Sequence, residues 1–336
     1  MPDTDTLDVV ALGSALVDVL CHATEDDLRL FDLAKGSMAL VDLQRAADLY
    51  AALVPAAEVS GGSAANTAAG VAALGGRAGF VGTVADDELG AVFERDLSAV
   101  GVVTRLVRRR AEPEADRATG RCLVYVTPDG ERTMATHLGV AATLGPDDLD
   151  AHVVADAQIL YIEGYLWDLG PAKAAIRRAM EAAHASDALV ALSLSDPFCV
   201  QRHRAEFLAL LHGEVDVLFA NEDEVRLLFA ADRFEAAVAA VEETGVLAAL
   251  TRGPAGSVVV GAQGASAVAA EAVEAVVDTT GAGDLYAAGF LFGLTHGHDP
   301  EGCARLGSLC AAEVISHLGA RPQADLRQLA EAAGLL

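Results

Sequence analysis

The sequence predicts an α/β protein with a doubly wound, mostly parallel sheet flanked by helices and a small β-sheet beside it. Three observations predict this. Short Val-, Leu- and Ile-rich runs alternate with Ala-rich helical stretches along most of the 336 residues, the βαβα rhythm of a parallel sheet with helical crossovers. These runs carry few polar residues, as strands buried on both faces do. Residues 19–42 and 102–140 break the rhythm with strand-like segments near turn signals such as Thr127-Pro128-Asp129-Gly130.

In order, 9–13 reads as a strand, 66–74 as a helix, 78–84 as a strand and 88–100 as a helix. Strands follow at 159–163, 189–194, 215–220, 246–250 and 257–260, with helices at 172–185, 202–211 and 221–229. A strand is expected to end at Val276-Val277, and three helical stretches close the chain. Segments 37–42, 122–127 and 133–137 are expected to form one small antiparallel sheet that acts as a lid over a ligand crevice. The chain then divides into a core of 1–18, 43–101 and 141–336 and a lid of 19–42 and 102–140.

The formal charge is −26, and Lys35 and Lys173 are the only lysines. So acidic a chain repels phosphate backbones, which excludes nucleic acid as the expected partner. Any anionic ligand must instead meet helix N-termini, backbone amides or a few arginines. No apolar run approaches the ~20 residues of a membrane helix, so no membrane partner is expected. The start, Met1-Pro2-Asp3-Thr4-Asp5, lacks the basic and apolar regions of a secretory signal. A soluble cytoplasmic protein is expected. The five cysteines are scattered without a close pair, the pattern of reduced thiols and not of zinc or disulfides.

The most informative segment is Asp278-Thr279-Thr280-Gly281-Ala282-Gly283-Asp284, leading into Leu285-Tyr286-Ala287-Ala288-Gly289-Phe290. Glycines at a helix start let the backbone approach a ligand. The unpaired N–H groups of Gly281, Ala282, Gly283 and Asp284 can converge on one anion, aided by the helix dipole. Asp284, in the first turn, can accept the proton of an attacking hydroxyl. No Gly-x4-Gly-Lys-Ser/Thr loop occurs. Tyr286 stands where a dinucleotide fingerprint needs its third glycine.

This segment resembles the C-terminal signature of the ribokinase-like, or PfkB, carbohydrate kinases. Gly61-Gly62-Ser63-Ala64-Ala65-Asn66-Thr67-Ala68 and Leu74-Gly75-Gly76 resemble the family's other signature. Gly13-x4-Asp18, Asn221-Glu222-Asp223-Glu224, Thr251-Arg252-Gly253-Pro254-Ala255-Gly256-Ser257 and Gly319-Ala320 match further motifs, in order, over nearly the whole chain. The resemblance implies transfer of the ATP γ-phosphate to a hydroxymethyl group between an α/β core and a β lid. It makes Asp284 the base and Gly281, Ala282 and Gly283 the anion hole. It places Ser14, Asp18, Met38, Gly62, Ser63, Asn66, Leu138 and Glu163 around the acceptor, with Asp18 binding a diol. It puts Asn221, Thr251, Gly253, Gly256, Thr279, Gly281 and Gly283 along ATP, and helix 302–318, Ala311 included, beside the adenine. Asn221 and Glu224 order Mg²⁺ through water, and Arg132 reaches the transferred phosphate from the lid. Asp278, Thr280 and Gly319 match a monovalent-cation site, occupied by K⁺ in many members, although Gln323 replaces a frequent Ser. Lids of this family pair or stay free, so a monomer and a homodimer are both consistent.

For the acceptor, Leu33-Ala34-Lys35-Gly36-Ser37-Met38, 61–76 and Val84-Ala85-Asp86-Asp87-Glu88-Leu89-Gly90 look most like bacterial adenosine or nucleoside kinases. Met38, Leu40, Leu138, Tyr165 and Trp167 offer apolar surface suited to a purine. Ser14 departs from the Asn that adenosine kinases often carry there. Ribose, fructose or 2-keto-3-deoxygluconate are the alternative acceptors. A non-catalytic nucleoside- or sugar-binding protein would have lost the base or the anion-hole glycines, and both are present. A nicotinamide oxidoreductase would need a fingerprint that Gly13-Ser14-Ala15-Leu16-Val17-Asp18 does not supply.

Overall fold

The computed structural model describes residues 6–52, 56–112 and 117–336; the acidic start Met1 to Asp5 and positions 113–116 of the second insertion lie outside the described residues. In chain order the strands are β1 (Leu7–Leu12), β2 (Leu16–His22), β3 (Met38–Leu40), β4 (Ala57–Gly61), β5 (Ala78–Ala85), β6 (Val103–Arg109), β7 (Thr119–Val126), β8 (Arg132–Gly139), β9 (Ala157–Glu163), β10 (Leu189–Ser193), β11 (Val217–Asn221), β12 (Leu247–Thr251), β13 (Ser257–Gly261) and β14 (Gly264–Val268). The helices are α1 (Glu25–Leu30), α2 (Leu43–Ala51), α3 (Ser63–Ala73), α4 (Glu88–Ala99), α5 (Ala151–Ala155), α6 (Gly170–His184), α7 (Pro197–Leu210), α8 (Glu222–Phe229), α9 (Phe234–Thr244), α10 (Ala282–Thr295), α11 (Pro300–Val314) and α12 (Leu326–Ala332).

Nine strands form one sheet in the order β14-β13-β12-β11-β10-β9-β1-β5-β6. Pairing is parallel from β12 to β6 and antiparallel at β12–β13 and β13–β14. Strand side chains alternate between two cores. Val9, Ala11, Phe80, Tyr161 and Phe219 face α3, α10 and α11. Val10, Leu12, Leu160, Ile162 and Leu192 face α6, α7 and α9. Burial on both faces explains why these strands read as continuous apolar runs. The chain winds from β1 out to β5 and β6, then resumes at β9 on the other side of β1. This switch point opens a crevice at the carboxyl ends of the strands.

The second sheet has the order β3-β8-β7-β2-β4. It differs from the expected insertions in three ways. β2 and β4 belong to it, and β6 instead extends the main sheet beside β5. The sheet is mixed, because β2–β7 and β3–β8 are parallel while β2–β4 and β7–β8 are antiparallel. Helices accompany it: Leu28 of α1 and Leu49 of α2 pack on Val19, Cys21, Leu123 and Tyr125. That covers the sheet's outer face and leaves the face carrying Cys122 and Val124 toward the crevice.

Two further differences have local causes. Val276 and Val277 form no strand; they are exposed in an irregular stretch held by the Val277 N–H donating to the Ile315 carbonyl at 2.8 Å. α7 begins a turn earlier than expected, with Asp196 accepting from the Cys199 N–H at 2.6 Å and Pro197 in the first turn. Among the described residues, no helix is long and apolar enough to cross a membrane.

Candidate active site

The carboxyl ends of β1, β9, β10, β11 and β12 open onto one cleft of about 510 Å³, roofed by the inner face of the second sheet. Its wall joins Ser14, Asp18, Gly62, Ser63, Asn66 and Glu163 to Thr279, Gly281, Ala282, Gly283 and Asp284. These residues come from four separate parts of the chain and converge because parallel strands end on the same side.

At the centre lies Asp284, in the first turn of α10. Its Oδ1 accepts from Ser63 Oγ at 2.7 Å and its Oδ2 from Asn66 Nδ2 at 2.9 Å. Thr67 Oγ1 donates to the Asp284 carbonyl at 3.2 Å. The carboxylate is thus aimed by the start of α3. Burial raises the Asp284 pKa, opposed by Asn66, Ser63, Arg132 and Arg321, which gives the carboxylate more proton affinity than a surface aspartate. Asn66 Oδ1 is buried without a partner, a position that suits a ligand hydroxyl.

Gly281 precedes α10 with φ 76°. The Ala282 N–H turns back to the Thr279 carbonyl at 3.3 Å. Among the described residues, the N–H groups of Gly281, Gly283 and Asp284 have no such backbone acceptor, and all three residues line the cleft.

On the acceptor side, Asp18 is 7% exposed, and a Cβ on Gly61 would lie 2.0–2.2 Å from its carboxyl atoms. Glycine there allows the carboxylate to lie on the backbone. Burial pushes Asp18 up to about 7, with Arg321 the main opposing influence. Glu163, expected to touch the acceptor, lines the cleft but spends both oxygens on backbone: Oε1 accepts from Ser14 N at 2.7 Å and Oε2 from Ala64 N at 3.0 Å. It thereby caps α3, whose own N-cap, Gly62, has no side chain. That explains why α3 starts at Ser63 and not at Asn66 as expected.

Met38, Leu40 and Leu138 line the cleft as expected, and so does Tyr165. Trp167 does not: it is 1% exposed and packs on Phe207 at 5.6 Å within the main-sheet core. The sequence reading missed Leu16, Cys122, Val124, Met134 and Thr136, which complete the roof. The signal was available in the alternation along β7 and β8, which puts 122 and 124 on one face with 134, 136 and 138.

On the other side, Asn221, Glu224 and Thr251 line the cleft, whereas Gly253, Gly256 and Ala311 do not. Gly256, with φ 84°, packs so closely that a Cβ would meet the Val268 carbonyl at 2.1 Å. Ala311 packs against the main core. Asn221 and Glu224 form a capping box, with Glu224 accepting from Asn221 N at 2.9 Å and Nδ2 at 2.7 Å. Among the described residues, no group of three or more His, Cys, Asp or Glu side chains could hold a metal. The donor set therefore suits Mg²⁺ carried by phosphates and water, with Glu224 held at the cleft by Asn221, where its remaining lone pairs face a metal-bound water only as further acceptors.

Asp278, Thr280 and Gly319 do meet. Fully buried Asp278 accepts from Thr280 N and Gly319 N, each at 2.8 Å, and from Thr280 Oγ1. Arg132 Nε of β8 lies 3.6 Å from Asp278 Oδ1. Asp278 thus already meets three donors from this chain and a guanidinium. Arg132 lines the cleft, and its buried Nε makes no hydrogen bond.

Free amides for an anion, next to a carboxylate aimed through an acceptor-side asparagine, equip the cleft to move a phosphoryl group onto a hydroxyl, and the protein is an ATP-dependent kinase. It belongs to the pfkB family of carbohydrate kinases, whose pattern matches residues 36–326. It is 30% identical over 340 residues to the adenosine kinase of Saccharomyces cerevisiae, covering 94% of this chain and 96% of that protein. The crystal structure of a probable sugar kinase from Rhizobium etli CFN 42 superimposes with TM-score 0.95 at 43% identity, covering 99% of this chain and 100% of the other. That of adenosine kinase from Sinorhizobium meliloti gives 0.93 at 46% identity, covering 98% and 99%.

Proposed function

We propose that the protein phosphorylates the 5′-hydroxyl of a purine nucleoside, adenosine foremost. The observation that carries this is the roof of the cleft. Leu16, Met38, Cys122, Val124, Met134 and Leu138 form an apolar wall beside Asp18 and the unpartnered Asn66 Oδ1. A flat purine buries well against such a wall while its ribose diol meets a carboxylate. The likeness to two adenosine kinases supports the same reading. The second reading is a sugar acceptor, favoured by the likeness to the Rhizobium etli probable sugar kinase.

MgATP, when bound, supplies the phosphoryl group. The amides of Gly281, Gly283 and Asp284 bind and orient the phosphate, and Arg132 adds positive charge from the roof. Asp18, Gly62 and Asn66 orient the acceptor, and Asp284 takes its hydroxyl proton. The second sheet acts as a lid whose closure excludes water.

Incubation with MgATP and adenosine, inosine, guanosine, ribose, fructose or 2-keto-3-deoxygluconate, followed by mass spectrometry, tests this. Adenosine 5′-phosphate is the expected main product; turnover of free sugars alone would overturn the nucleoside reading.

Asp18 also predicts a pH dependence. Burial raises it to about 7, and only the ionised form accepts from both hydroxyls of a diol. As pH falls through 7 the group takes up a proton, so acceptor Kd should rise below that pH. Asp18→Ala should raise acceptor Kd by roughly 10-fold or more, the loss expected for hydrogen bonds to a charged group, and flatten the pH dependence. Calorimetric titration with adenosine checks both.

A further inference from the structure

Arg321, between α11 and α12, belongs to no expected motif. Its guanidinium donates from Nε and Nη2 to the Ser60 carbonyl at 3.2 and 3.0 Å, from Nη2 to Ser60 Oγ at 3.1 Å, and from Nη1 to the Ala65 carbonyl at 2.6 Å. These acceptors bracket residues 61–64. Within that turn Gly61 lies against the Asp18 carboxyl, and Ser63 donates to Asp284. The clamp therefore holds the backbone that carries the acceptor contacts. The acceptors are uncharged, and among the described residues no ion pair cancels the buried positive charge, which acts on the carboxylates across the turn.

We propose that Arg321 is a positioning residue for phosphoryl transfer, clamping both ends of the 61–64 turn and supplying the buried charge that favours ionised Asp18 and Asp284. The surrounding charges agree. Asp18 faces Arg321, Asp284, Arg132 and Asp278; burial raises it and Arg321 is the largest influence lowering it. Asp284 faces Asn66, Ser63, Arg132 and Arg321. Burial in turn pulls Arg321 down to about 10, opposed by Asp18, Asp284 and Asp96. A bidentate fork suits two carbonyls spaced along a turn, which a lysine cannot reproduce.

The test is a carboxyl-¹³C NMR titration of the whole protein with labelled aspartate, assigned with Asp18→Asn and Asp284→Asn. Removing a cation near a carboxylate raises its pKa, so Arg321→Gln should move the Asp18 midpoint up by about one pH unit or more and the Asp284 midpoint in the same direction. Arg321→Lys should leave them near wild type, while lowering kcat through loss of the fork. Unmoved midpoints in a folded Arg321→Gln protein would overturn the proposal. If that variant does not fold, Arg321→Lys decides: lowered kcat with both midpoints near wild type supports the clamp, and unchanged kcat overturns it. The titration uses no substrate. It therefore stands apart from the kinase reading on which the proposed consequence for turnover rests, and that reading fails separately, if no acceptor is phosphorylated.

Discussion

Asp284→Asn is expected to lower kcat by about 10²- to 10⁴-fold, the range that a positioned general base contributes. The substitution keeps the size of the side chain. It removes the proton acceptor and also disturbs its aim, because Ser63 and Asn66 both donate to this carboxylate. An amide offers one acceptor oxygen and one donor group, so the Asn66 bond can keep its direction only if the Ser63 hydroxyl turns from donor to acceptor. The amides of Gly281 and Gly283 are untouched, and MgATP affinity should change little. Single-turnover kinetics with calorimetric measurement of ATP binding separates the two effects. A variant that turned over at the wild-type rate would show that the proton leaves by another route.

Gly283→Ala is expected to leave the fold at least as stable as wild type while reducing kcat by about 10²- to 10³-fold, the cost of losing one preorganised anion-hole contact. A Cβ at 283 would meet nothing within 4 Å, and alanine in a helix is favoured over glycine by roughly 0.5–1 kcal/mol. The empty space is the cleft, where a methyl group would keep the phosphate from the Gly283 N–H. Gly281→Ala makes a useful contrast. There φ is 76° and a Cβ would lie 2.7 Å from the Ala320 Cβ, so stability and activity should fall together. Thermal melts beside turnover distinguish the cases. Full activity in Gly283→Ala would place the phosphate elsewhere.

The sequence was most legible where local chemistry is sufficient. The apolar runs of β1, β5 and β9 to β12 announce burial on both faces, and each proves to lie in the main sheet. The glycine run before α10 announces a helix start with unpaired amides, and the backbone leaves three of the four unpaired while Ala282 N–H turns back to Thr279. Legibility failed where a partner comes from afar. The early start of α3 depends on Glu163, about a hundred residues away. Trp167 looked like a pocket residue because aromatic character does not reveal which side of a strand end it packs on. Val276 and Val277 looked like a strand because β-branched pairs favour one, but among the described residues no strand pairs with them, and the Val277 N–H goes to the Ile315 carbonyl instead.

By itself, then, the sequence determined the α/β architecture and the glycine-led helix start with Asp284 in its first turn, since periodicity and glycine placement act within a few residues. Only the tertiary structure decided the mixed second sheet with its covered outer face, the apolar roof, the Arg132–Asp278 contact and the Arg321 clamp. Each of these joins segments far apart in the chain, and a long-range contact is fixed by the packing of whole elements, not by the residues beside it in sequence.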